Sequence, residues 1–135
     1  RPGMAQTQQK LPLYSRTASA AGSSVDRDNE LKSIIETVIA VVFAVKVDQL
    51  QSSSRGRAKI ALARQVAMYL AHCAFSLSHS EVGRIYNRDR TTVGHACALV
   101  EDRRDDPVFD RTLANIEEIV VRVGRISGVV REGAR

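Results

Sequence analysis

Ser78 to Arg104 constrains this chain more than any other stretch, because two short helical patterns there are separated by only a few residues. Ser78-His79-Ser80-Glu81 is a Ser-x-x-Glu capping box, in which hydroxyl and carboxylate each satisfy a free backbone N–H at a helix start. Val82, Ile85 and Tyr86 then share one helical face. Asn87-Arg88-Asp89 interrupts the pattern, and Asp89 can cap the helix that follows. In that helix Val93, Ala96, Cys97 and Val100 take the i, i+3, i+4, i+7 spacing of a buried stripe. The opposite face is small and polar: Thr91, Gly94, His95 and Ala98, with Arg90 and Thr92 at its rim. A helix, a short bend and a second helix with such a face describe a helix-turn-helix, whose second helix lies in the major groove of duplex DNA.

Charge placement agrees with that reading. The 135 residues carry a net charge of +5. Between Arg55 and Arg104 there are nine Arg or Lys against four Asp or Glu, and the rest of the chain holds eleven of each sign. The whole excess therefore lies in the segment with the reading helix, which is the footprint of a polyanion binder. Evenly solvated helix faces would have spread it.

Along the chain, every patterned segment is helical, so the fold class is all-α. Residues 1–27 mix Gln, Ser, Thr, Ala and Gly with little apolar patterning, which predicts a disordered leader. Arg1-Pro2-Gly3 ahead of Met4 reads as a cloning remnant. Leu31, Ile34, Ile35, Val38 and Val42 make a first helical stripe, capped by Asp28 or Asn29. Val45 to Leu50 ends it and leads into a polar connector, Gln51 to Ser54. From Arg55 to Cys73, Ile60, Ala63, Ala67 and Leu70 form a further stripe, with Arg55, Arg57 and Lys59 at its start. Cations around a helix N-terminus, where unpaired N–H groups already attract anions, suit a phosphate clamp. Arg103-Arg104-Asp105-Asp106-Pro107 closes the reading helix. Phe109, Leu113, Ile116, Val120 and Val123 predict a last amphipathic helix over 107–127, widened by Ile119, Val121 and Ile126 into a candidate self-association face. Residues 128–135 are expected to fray. The domain proper is thus 28–106.

Other chemistries find little support. Cys73 and Cys97 sit in apolar helical patterns and read as two small buried thiols. His72, Cys73 and His79 match no zinc spacing. His95 and Cys97 are two apart on a helix and cannot face each other, and no paired carboxylates converge, so an enzyme is not expected. No G-x-x-x-x-G-K-[ST] occurs, so neither nucleotide nor other cofactor is expected. The start lacks the apolar segment of a secretory signal, and the expected location is cytoplasmic and nucleoid-associated.

Three segments together resemble a known family. They are Arg64-Gln65-Val66-Ala67-Met68-Tyr69-Leu70-Ala71, Ser78-x-x-Glu81-Val82-Gly83, and Arg88-Asp89-Arg90-Thr91-Thr92-Val93-Gly94-His95-Ala96-Cys97. In order and near-matching separation they are similar to the C-terminal DNA-binding domain of the bacterial replication initiator DnaA, over about Glu30 to Arg104. The resemblance implies a Trp-repressor-like helical fold, to which the apolar pattern over 107–127 adds a C-terminal helix. It also implies binding to a short duplex element, the DnaA box, and a regulatory role in replication initiation or transcription. It implies base-edge contacts from Asp89, Arg90 and Thr91, with Thr92 near a thymine methyl or a phosphate. His95, Arg64 and Gln65 would touch the backbone, joined by Ser78 and Arg88, and one of Arg55, Arg57 or Lys59 would enter the minor groove.

Three departures qualify the likeness. The family's Asp-His-Thr-Thr is Asp89-Arg90-Thr91-Thr92 here, the bend is one residue shorter, and the nucleotide-binding module is missing from these residues. A guanidinium can give two parallel hydrogen bonds to guanine O6 and N7, which a neutral His cannot. Arg90 therefore reads either as a guanine contact or as a phosphate contact. The competing function is a helical adaptor that docks a protein through its C-terminal apolar face.

Overall fold

The computed structural model describes residues 24–51 and 58–130, and within them the elements are helical. They are α1 (Ser24–Phe43), α2 (Val47–Gln51), α3 (Ala58–Cys73), α4 (His79–Tyr86), α5 (Arg90–Arg103) and α6 (Pro107–Ser127). The leader to residue 23, residues 52–57 and the last five residues lie outside the described residues, and with them fall Arg55 and Arg57.

α3 is the centre of the molecule. Its run of Ala63, Val66, Ala67, Met68, Tyr69, Leu70 and Ala71 is buried almost without interruption, so the helix is covered on most sides. α1 packs on one flank and α5 on another, and α4 closes against α5. α6 returns along α1, burying Leu113, Ile116 and Val120. Ile35, Ile39, Leu70, Val82, Val93 and Val100 join these in one continuous core. At roughly 1.5–3 kcal/mol for each fully buried aliphatic side chain, this shared core is what orients α4 and α5.

Several boundaries differ from the sequence reading. α1 starts at Ser24, a turn earlier than a cap at Asp28 or Asn29 would allow, and both residues lie inside the helix. Tertiary contacts hold that extra turn: Arg27 Nε donates to the Val129 carbonyl at 3.2 Å, and Asp28 pairs with Arg84 of α4 at 3.1 Å. α1 ends where Ala44 turns into the left-handed region (φ 56°), and the Val45 N–H donates back to the Ala40 carbonyl. The segment read as a plain ending instead forms the short α2, whose Leu50 is buried.

The stripe of α6 was misread at one position. Val123 is exposed and Gly124 takes the buried place, because Phe75 and Val130 pack where a side chain at 124 would project. Nor does the chain fray from residue 128. Gly128 ends α6 in a left-handed turn (φ 91°), the Val130 N–H donates to the Gly124 carbonyl, and Val129 is buried. Cys97 is buried but Cys73 is exposed, since α3 ends there and the chain turns away at Ala74. Burial pushes the Cys97 thiol up to about 11, which leaves it protonated and inert at neutral pH.

Candidate nucleic-acid interface

The two helices of the motif are fixed by their ends. At the start of α4 the Ser78 Oγ accepts from the Glu81 N–H at 3.1 Å, while the Ser78 N–H donates to Glu81 Oε1 at 2.8 Å. That backbone hydrogen bond holds the Glu81 carboxyl below the usual carboxylate range. α4 ends at Asn87, whose left-handed backbone (φ 58°) lets its N–H and that of Arg88 both reach the Gly83 carbonyl. Asp89 then caps α5, its Oδ1 accepting from the Thr92 N–H at 2.8 Å. The same bond lowers the Asp89 pKa.

Gly83 is the residue that makes the bend tight. A Cβ there would stand 2.3 Å from the Arg88 carbonyl oxygen, well inside contact distance and against backbone that cannot swing away. Its signal in the sequence was faint: a glycine inside a short predicted helix, which costs about 1 kcal/mol relative to Ala and so requires a packing reason.

Beyond the bend, α5 divides cleanly. Val93, Ala96, Cys97 and Val100 are buried against α3 and α4. Arg90, Thr91, His95 and Ala98 are exposed on the other side, with Thr92 and Gly94 half-buried at its edges. Gly94 faces the His79 ring, whose nearest atoms lie 3.4–3.5 Å from where a Cβ would stand. That is ordinary contact, so crowding by α4 does not require the glycine. His79 itself packs on His72, ring centroids 4.3 Å apart, and His72 Nδ1 lies 2.7 Å from the Leu77 carbonyl oxygen.

The remaining candidate residues fall into distinct environments. Arg88 beside the bend and Lys59 at the start of α3 are exposed, and neither forms an ion pair among the described residues. Ser78 is exposed with its oxygen engaged in the cap, and Gln65 is half-buried. Arg64 is partly tied down: its Nε donates to the Leu50 carbonyl at 3.1 Å and a terminal nitrogen to the Gln49 carbonyl at 3.0 Å. It therefore closes the C-terminal end of α2 onto α3.

Not all the positive charge of the segment faces outward. Arg84 is paired with Asp28, and Arg104 sits in an internal network. Arg104 Nε reaches Asp110 at 2.5 Å, and one terminal nitrogen reaches Glu117 at 3.3 Å and the Tyr69 hydroxyl at 2.9 Å. Tyr69 in turn donates to Glu101 at 2.8 Å. Burial raises the Tyr69 pKa, so the phenol stays a donor. This cluster fastens α3, the end of α5 and α6 together, a role the charge count could not distinguish from DNA contact. Among the described residues, Arg88 and Arg90 are exposed cations next to an uncharged face of Thr91, His95 and Ala98, and Lys59 is exposed at the start of α3.

A capped helix, a glycine-tightened bend and a second helix with one buried and one bare face define a helix-turn-helix protein of the all-α class. The comparisons with known proteins narrow this further. Residues 32–100 match the family model described as the bacterial DnaA protein helix-turn-helix, and the chain belongs to that family. The chromosomal replication initiator protein DnaA of Desulfotalea psychrophila is 42% identical over 87 residues, covering 62% of this chain and 18% of that protein. DnaA of Lachnoclostridium phytofermentans is 37% identical over 94 residues, covering 66% of this chain and 20% of the relative. A crystal structure of a DNA replication initiation factor superposes with a TM-score of 0.65 at 27% identity, covering 88% of this chain and 37% of that one. The chain thus spans about a fifth of the length of the curated relatives it matches. No described helix is long and apolar enough to cross a membrane.

Proposed function

We propose that this protein binds double-stranded DNA at a short element resembling the DnaA box and regulates replication initiation, transcription or both by occupying it. The observation that supports this most directly is the bare face of α5, where Arg90, Thr91 and His95 are exposed on a helix whose other side is sealed into the core. Asp89, Arg90, Thr91 and Thr92 are the proposed base-reading group. Arg64, Gln65, Ser78, Arg88 and His95 hold the backbone, and Lys59, with Arg55 and Arg57 from outside the described residues, contacts the backbone or the minor groove. Arg90 reads a guanine where the family's His cannot give two parallel bonds. Occupancy of the element is the proposed regulatory act of these residues, among which no P-loop motif occurs.

Binding to a panel of duplexes that vary one base at a time tests this. Arg90→Ala is expected to lose ~1–3 kcal/mol at one position of the element, whereas loss of a phosphate contact weakens every sequence alike. Failure of the unaltered chain to bind any duplex at low salt would leave the adaptor reading in its place. The exposed stripe of Ile119, Val123 and Ile126 on α6 is proposed as a contact with a second copy of the chain. Sedimentation should show association that Ile126→Lys abolishes.

A further inference from the structure

Arg64 and Arg88, two of the cations proposed to hold the DNA backbone, share an open hollow with a third from outside the helix-turn-helix. Lys32 of α1 lines the same space, a volume of about 360 Å³ bounded by α1, the end of α2, α3 and the bend after α4. The position of each cation is set by the fold. The Lys32 ammonium lies over the Tyr86 ring, 5.4 Å from its centroid, which holds an otherwise flexible stem in one direction. Arg64 is anchored from the opposite side by the carbonyls at the end of α2. Arg88 stands at the bend, one residue before the cap of α5. Among the described residues that line the hollow, Glu36 is the one carboxylate, and it is buried. Three cations against one carboxylate leave the space positive, and its wall at Asn87 and Arg88 runs straight into Asp89 and Arg90.

We propose that this hollow is a phosphate-binding site for the DNA backbone, and that Lys32 is a further duplex contact acting with Arg88 at the N-terminal end of the reading helix. The inference rests on the duplex-binding reading above. A strand whose bases are read by the first turn of α5 carries its phosphates past that end of the helix, beside Asn87 and Arg88, which line the hollow. The contact is made to the sugar-phosphate chain, so it adds affinity and register without adding base preference. Lys32 forms no ion pair among the described residues, so a phosphate does not have to displace an internal carboxylate from it.

A salt titration with the full chain and a mixed-sequence synthetic duplex reads this directly. Each neutralised phosphate contributes about −0.9 to the slope of log K against log salt concentration. Lys32→Gln should make that slope shallower by about one contact, while Lys32→Arg restores it and Arg125→Gln on α6 leaves it unchanged. Relative affinities over a panel of base variants should be the same for Lys32→Gln as for the unaltered chain. The proposal is overturned if Lys32→Gln keeps the full slope, or if Arg125→Gln flattens it equally, which would mean that net charge alone matters. Should the unaltered chain bind no duplex, the duplex-binding reading itself fails first. A wild-type slope in Lys32→Gln with duplex binding intact would remove only the role of the hollow.

Discussion

Gly83 and Gly94 belong to the same motif and answer to different physics. At Gly83 the Arg88 carbonyl occupies the space of a side chain, so Gly83→Ala must push the bend apart. An overpacking cost of about 1–3 kcal/mol is expected, with a matching loss of DNA affinity as α5 shifts. At Gly94 the nearest obstacle is the His79 ring at 3.4 Å, which an added methyl group only touches. Gly94→Ala should therefore stabilise the fold, by up to about 1 kcal/mol from helix propensity. It should at the same time weaken duplex binding, because the methyl stands at the edge of the reading face. Thermal melts paired with binding assays separate the two outcomes, and a destabilised Gly94→Ala would refute the account of that position.

Among the elements, α4 and α5 are short and depend on their caps. The carboxyls of Glu81 and Asp89 are both held below the usual range by backbone N–H groups, so each binds its proton more weakly folded than unfolded. The stabilisation from these caps is complete above the ordinary carboxylate pKa and disappears as pH falls through the lowered, folded values. Across a series of melts from pH 7 to pH 3, Glu81→Gln and Asp89→Asn should lose less stability on acidification than the unaltered chain. Equal losses would show that the caps do not govern acid unfolding. Removing the neutral partner, Ser78→Ala, should cost about 1 kcal/mol at neutral pH.

At the scale of the molecule, the Arg104 network joins α3, the end of α5 and α6. Its guanidinium is mostly covered, and its loss leaves Glu117 and the Tyr69 hydroxyl short of a partner. Arg104→Ala should therefore destabilise by about 1.5–3 kcal/mol, measured by denaturant unfolding, while leaving the salt dependence of DNA binding unchanged. A flattened salt slope would instead make Arg104 a phosphate contact.

Local chemistry alone determined the helical class, the capping box at Ser78, the cap at Asp89 and the division of α5 into a buried and a bare face. Each depends on residues within a turn or two of one another, and a turn of helix is legible from spacing. What needed the tertiary structure lay across longer separations. Ser24 begins α1 because Val129 and Arg84 are there to hold its first turn, Gly124 replaces Val123 because Phe75 and Val130 pack on it, and Gly83 is required by a carbonyl on the far side of the bend. The same holds for charge. Lys32, Arg64 and Arg88 share a hollow and Arg104 is turned inward because of which helices meet, and no count along the chain distinguishes a cation aimed at solvent from one aimed at a carboxylate.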